Sequence, residues 1–403
     1  MRAPRFLQIL CVLTLLFGMG GSRVRADTLT VSAPESDYRA VPVSILLRAT
    51  PAGEAAILQR DGAPVPCQLE KTPQGVRVWW VVRDLKRGDR QSFQLSFPNG
   101  ARPPATRTVQ VRPGNGAVEI TVGNQLFTRY VFGDGPKPYC YPLLGPGGIP
   151  VTRNYPMKEV EGEPKDHPHQ RSFWFTHGSV NGVDFWAEGP KMGKTVHREF
   201  GALVSGPVFG LLRATNDWTR PDGTKVCTEE REIRVFDVGD DLRLFDFATS
   251  VKATEGPLVF GDTKEGSFGF RLAPTMQVKG GQGHIENARG DKDGAAWGKR
   301  AEWCDYYGPV QGHTLGIAIF DTPSNPRYPT YWHVRDYGLF AVNPFGLKDF
   351  TRGAAGDGTL VVPAGEALTL RYRVLVHRGT TAEAAIAQRF AEYVSPPKVE
   401  AKP

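Results

Sequence analysis

Strand-length apolar runs recur along nearly the whole chain, whereas a helical apolar stripe shows only once, near the C-terminus. Between Thr28 and Phe97 the runs Thr28–Ser32, Val43–Leu47, Val76–Val82 and Ser92–Phe97 alternate in strand fashion, with turns such as Asp61-Gly62 between them. Val118–Val122, Leu126–Phe132, Glu230–Phe236, Leu242–Phe247, Leu315–Phe320 and Leu368–Val376 continue the pattern. Such runs bury one or both faces of a strand but leave no stripe for a helix bundle. With 46 glycines and 33 prolines, the composition suits many short strands joined by turns. The expected fold is therefore mainly β. A small β-sandwich covers 27–112, and a Pro- and Arg-rich stretch, 98–113, reads as the linker. A large two-sheet antiparallel β-sandwich then covers 113–403. The one convincing helix is Thr381–Val394, with Thr381 as N-cap and Ala382, Ala385, Ile386, Phe390 and Tyr393 as its apolar stripe.

Residues 1–26 read as a secretory signal: Arg2 and Arg5, an apolar stretch Phe6–Met19, and a small-residue cleavage site before Asp27. The apolar stretch is short for a membrane span, and no later segment is apolar enough to be one. The expectation is an exported protein, secreted or periplasmic. Four arginines belong to that segment, so the net charge of +7 becomes +3 without it. The remaining Lys and Arg are interspersed with acids, which argues against a nucleic-acid partner. Cys67, Cys140, Cys227 and Cys304 are too widely spaced for metal knuckles. Disulfides and buried thiols stay open as readings of them.

Long turn-rich segments at 136–156, 164–193, 280–308 and 322–346 interrupt the strands and are rich in aromatic residues. The densest stretch, Asp166–Trp186, combines His167, His169, His177, Asp166, Asp184, Arg171 and Asn181 with five aromatic rings. Sugar rings stack their C–H faces on aromatics and take hydrogen bonds from planar, charged or bidentate groups. This composition suits a carbohydrate, including uronic acids. His177 and His333 are acid–base candidates, with Glu265 or Asp184 as the carboxylate. Arg153, Arg171, Asn181, Arg300 and Arg335 are candidate holders of substrate oxygens, and Trp186, Trp297 and Trp332 are candidate ring platforms. His167 and His169, with Asp166, form a candidate set for a divalent metal such as Zn, Cu or Fe(II). The plainer readings are an Asx turn at Asp166, a hairpin turn at Lys264-Glu265-Gly266, and one solvent-facing strand at Val183–Trp186. Serine-hydrolase, P-loop, dinucleotide and zincin motifs are absent.

The segments TRNYP (152–156), DHPHQRSFWFTHGSVNGVDFW (166–186), WGKRAEWCDYYG (297–308) and PSNPRYPTYWHVRDYGLFAVNPFG (323–346) resemble a family of secreted bacterial proteins. That family is of uncharacterised activity and commonly carries the label methane oxygenase PmoA. In many of its members a second histidine follows DHPH, where this chain has Gln170. True particulate methane monooxygenase subunits are multi-span membrane proteins, so the label does not fit a chain without a span. A softer resemblance is to galactose-mutarotase-like sandwiches, which His177-Gly178 and Asp184-Phe185-Trp186 echo. That resemblance implies acid–base work at a sugar by a histidine and a glutamate. The leading expectation is a carbohydrate-active protein performing glycosidic cleavage, by hydrolysis or elimination, or epimerisation. The alternatives are a non-catalytic glycan-binding protein and a metal-dependent oxidoreductase.

Overall fold

The structure, a computed structural model, describes residues 27–47, 55–98 and 107–402. The expected signal segment and half of the expected linker, 99–106, lie outside the described residues. Two eight-stranded antiparallel sheets form the large sandwich. The first runs, in spatial order, through Tyr331–Val334, Leu339–Asn343, Gly266–Arg271, Phe173–His177, Tyr139–Leu143, Gln125–Val131, Ala117–Val122 and Val109–Pro113. The second runs Lys194–Val204, Phe209–Thr219, Lys225–Phe236, Leu242–Lys252, Ala367–Arg378, His313–Phe320, Trp303–Val310 and His284–Asn287. Inward side chains of both sheets meet in one core, where Phe173 packs on Phe245 at 5.5 Å and Phe268 stacks on Phe247 at 4.4 Å.

The small domain pairs a five-stranded sheet with a three-stranded one around Leu29, Val31, Trp80, Val82 and Phe93. Its boundaries differ from the sequence reading at both ends. Val109–Pro113 is not linker but the outer strand of the first large sheet, paired with Ala117–Val122. The C-terminal strand Lys398–Lys402 returns to pair with Asp27–Ser32. The helix is also shorter than expected, at Ile386–Val394, because Thr381 does not cap it. The Thr381 hydroxyl instead donates to the buried Asp305 (2.7 Å), which also binds His377 Nε2 (3.0 Å).

The two domains are joined by directional contacts. Arg234 forks onto Glu70 (2.6 and 3.1 Å) while lying over Trp79 and Phe209, and Gln68 Oε1 accepts from the backbone N–H groups of Val208 and Phe209. The four cysteines are each buried, with no disulfide among them. No helix among the described residues is long and apolar enough to cross a membrane.

Candidate functional site

The outer face of the first sheet carries the site, and strand alternation decides which side chains reach it. In Phe173–His177 the odd positions Phe173 and Phe175 join the inter-sheet core, while Trp174 points the other way. Next door, Phe340 and Val342 face the core, and Leu339 and Ala341 face out to pack with Trp174, Trp186 and Tyr139. In Tyr331–Val334 the core side takes Trp332 and Val334, leaving His333 for the outer face.

On that face a cavity of about 340 Å³ opens beside Trp186, Asp184, His169, Glu265, His333 and Arg335. His167, Gln170, Lys264 and Tyr337 complete most of its wall. Asp166–Trp186 thus meets the end of the strand at Gly266 and the turn after Val334. A larger hollow of about 1030 Å³ lies between the domains, but Arg107 is already paired with Asp237 (2.7 Å) and Asp240 (2.8 Å), Arg60 with Asp61 (3.6 Å), and Arg83 donates to the Val238 carbonyl (3.0 Å).

Trp186 forms part of the wall and stacks obliquely on Trp174, 5.0 Å between centroids. Its indole N–H is buried without a partner in the structure. Behind it the buried Lys137 donates to the Trp186 carbonyl (2.9 Å) and pairs with Glu188 (3.1 Å). Burial lowers the Lys137 ammonium to about 8 against the opposing pull of Glu188. Asp184 Oδ1 accepts from the backbone N–H groups of Trp186 (2.8 Å) and Ala187 (3.0 Å), which fixes the turn that presents the indole.

Glu265 sits where the loop meets the strand Gly266–Arg271 and pairs with Lys264 at 2.9 Å. Gly178 makes that position accessible. Its N–H donates to the Glu265 carbonyl (2.6 Å), and a Cβ there would come within 2.8 Å of Glu265 Cβ. His333 is 2% exposed and accepts at Nδ1 from the Trp297 indole N–H (3.0 Å). That bond fixes the neutral tautomer with the proton on Nε2, which has no partner among the described residues. Burial, with Arg335 and Lys264 adding, lowers the His333 pKa to about 3. Burial likewise brings His169 to about 4, helped by Lys137 and His167. Both imidazoles are neutral hydrogen-bonding groups at physiological pH, and neither supplies a proton there.

Asp166 is a clasp. Both of its oxygens accept from Arg271 Nη2 (2.9 Å each), and it pairs with Arg153 and holds His167 Nδ1 at 2.6 Å. Burial raises its carboxyl, but Arg271, His167 and Arg153 outweigh this and hold it at about 2. His167 lies flat on Tyr337 (5.2 Å, 6° between planes), and the Arg271 guanidinium covers the same ring at 4.7 Å. Gln170 Oε1 accepts from Arg271 Nη1 (2.5 Å), so the position after DHPH serves the arginine.

Several expectations are corrected by these placements. His177 does not reach the cavity. It shares the inner face with Phe173 and Phe175, packs between Phe260 and Phe345, and binds the Gly261 carbonyl through Nε2 (2.8 Å). Trp332 is a core residue, donating to the Ala301 carbonyl (3.0 Å), and is no ring platform. Arg153 ties loop carbonyls and Asp166 together, and Arg171 is forked onto Glu188 (2.9 and 3.0 Å). Arg300 binds the carbonyls of Pro329 and Arg327 away from the cavity wall. Asn181 bridges the Pro257 carbonyl and the Val259 N–H. Asp166, His167 and His169 do not assemble as a ligand set, because Asp166 is consumed by two guanidinium groups. Among the described residues no cluster of three or more His, Cys, Asp or Glu is arranged to hold a metal. Lys264, Arg271, Tyr337 and Lys137 were not foreseen. Only Lys264 and Tyr337 carried a signal, as neighbours of named candidates.

Comparison with known proteins gives weak likenesses to solved structures. One is a protein in glycosyl hydrolase family 38 from Enterococcus faecalis, at 12% identity and TM-score 0.41, matching 94% of this chain and 47% of that one. This chain therefore spans about half its length. Another is a GalM/aldose epimerase homologue from C. elegans, at 8% identity and TM-score 0.28, covering 68% of this chain and 99% of that chain. No curated protein sequence matches. Residues 117–391, the greater part of the chain and all of the cavity wall, match the family model DUF6807, described as a family of unknown function, and the chain belongs to that family.

Proposed function

We propose that this chain is an exported carbohydrate-active protein that takes one sugar unit into the cavity on the outer face of the first sheet. One observation carries the reading. Two carboxylates, three imidazoles, an ammonium and a guanidinium meet around a space of about 340 Å³, at the lower end of the range for small-ligand sites. His333 Nε2–H and Arg335 offer donors to hydroxyls, while Trp186, only 1% exposed, backs the wall and is not the open ring platform expected of it. Proton transfer falls to Glu265 and Asp184, because burial leaves His169 and His333 too weakly basic to carry a proton near neutral pH. Glycosidic cleavage or epimerisation at a sugar carbon fits that pair. Export rests on residues 1–26.

A binding protein without turnover is the second reading. It is favoured by the Lys264–Glu265 ion pair and by the turn-capping bonds of Asp184, which give both carboxylates structural partners. A panel of oligosaccharides and polysaccharides, offered to the wild type and to Glu265→Gln and Asp184→Asn, separates the two. Catalysis predicts turnover of at least one glycan and a loss on the order of a hundredfold in Glu265→Gln. Turnover unchanged in both variants would remove the carboxylates from the mechanism. Binding of a glycan with no product from it would establish the second reading.

A further inference from the structure

Arg335 stands apart from the other arginines around the site. Arg271 is matched by Asp166 and Gln170, Arg171 by Glu188, and Arg153 by Asp166 and backbone carbonyls. The Arg335 guanidinium has no ion pair and no hydrogen bond among the described residues. It is half-buried, held between Trp297 and Tyr337 with each ring centre 5.6 Å away, and it lines the cavity. The two cation–π contacts hold the guanidinium in place and leave its N–H groups without hydrogen-bond partners among the described residues. Next to it, His333 is 2% exposed and also has its Nε2–H without a partner. The cavity's other charges are accounted for. Lys264 is neutralised by Glu265, while Asp184 keeps its charge, with Oδ1 held by two backbone N–H groups on the Trp186 side of the cavity. What remains is one preorganised planar cation beside one buried neutral donor.

Resting on the carbohydrate reading above, we infer that the cavity is selective for an acidic sugar, with the Arg335 fork binding the carboxylate of a uronic acid residue. Two parallel N–H groups match the two oxygens of a planar carboxylate, and His333 Nε2–H supplies a further donor at the same end. A neutral hexose would leave the guanidinium facing a hydroxymethyl group, so the discrimination lies in one charge-assisted pair.

The test is calorimetric titration of the full chain with oligosaccharides of galacturonate, glucuronate, mannuronate and guluronate, each beside its carboxyl-reduced counterpart. Reduction keeps linkage and stereochemistry and replaces the planar carboxylate by a neutral hydroxymethyl group. At least one acidic member should bind the wild type tighter than its reduced partner, on the order of tenfold to a hundredfold. Arg335→Gln should bring that ratio close to one. Arg335→Lys, which keeps the charge without the fork, should restore part of it. The ratio is taken within each variant, so general damage to the fold does not mimic the result. Equal binding of acidic and reduced forms by the wild type, or an unchanged ratio in Arg335→Gln, overturns the inference while the sugar reading stands. Binding of neither form, and of no other glycan, overturns both.

Discussion

At the scale of single residues, burial decides what the cavity histidines His169 and His333 do, whereas the buried His377 is governed by its partner Asp305. His333 falls from an ordinary 6.5 to about 3 because its ring is out of water and because Arg335 and Lys264 lie near. Between pH 6.5 and about 3 the unfolded chain binds a proton at this residue that the folded chain does not. Stability from the buried neutral ring is therefore complete above pH 6.5 and is lost as pH falls toward 3. His333→Gln keeps an acceptor for the Trp297 indole but removes this titration. The variant should be less stable than the wild type at pH 7, and the deficit should shrink by on the order of 3 kcal/mol by pH 4. Melting of both proteins across pH 4–7 measures it. A deficit that stays constant would mean that His333 is protonated in the folded chain and that the neutral-donor role is mistaken.

Among elements, the loop 164–170 owes its shape to one carboxylate. Asp166 is partly exposed, but the guanidinium groups it holds are not: Arg153 is 0% and Arg271 1% exposed. Its depressed carboxyl makes the clasp complete above the ordinary 3.8, with the stabilisation lost as pH falls through about 2. Asp166→Ala leaves two buried cations short of a partner. The expected loss is about 2 kcal/mol after discounting for solvent screening of the exposed carboxylate. Hydrogen exchange should quicken at His167–Gln170 and leave Phe173–His177 protected. Uniform exchange in both segments would place the clasp outside the loop's stability. This element also marks what the sequence could and could not show. The density of His, Asp, Arg and Trp in 166–186 marks a stretch of which His167, His169, Gln170, Asp184 and Trp186 line the cavity, because packing alone does not call for such residues together. The period-two pattern of Phe173, Phe175 and His177 puts His177 on the core side, and that of Trp332 and Val334 does the same for Trp332, but residue type alone makes both look like site candidates. The fates of Arg153 and Arg171 were not legible. Their partners are chosen by loop closure, and Asp166 meets Arg271 across more than a hundred residues of chain.

For the whole molecule, the C-terminal strand raises the question of whether the small domain serves the site at all. Lys398–Lys402 pairs with Asp27–Ser32, setting Val399 opposite Val31 and Ala401 opposite Leu29 at the rim of the small core. The cavity lies at the Tyr331–Val334 end of the first sheet. The opposite end is Val109–Pro113, where Val109 bridges Gly206 close to the Gln68 junction with the small domain. Eight strands at about 4.8 Å spacing put roughly 30 Å between those edges. A chain ending at Pro397 loses the Val399 and Ala401 cover and the ladder to Asp27–Ser32. It should melt the small domain earlier, by about 2 kcal/mol of lost burial and pairing. Affinity for any ligand of the cavity should stay within about twofold, since the wall residues belong to strands and loops that the truncation does not touch. Thermal scans followed by ligand titration on the same sample test both halves. If affinity falls severalfold while the large sandwich still melts as in the full chain, the small domain is part of the binding machinery, and the separation of scaffold from site across the sheet does not hold.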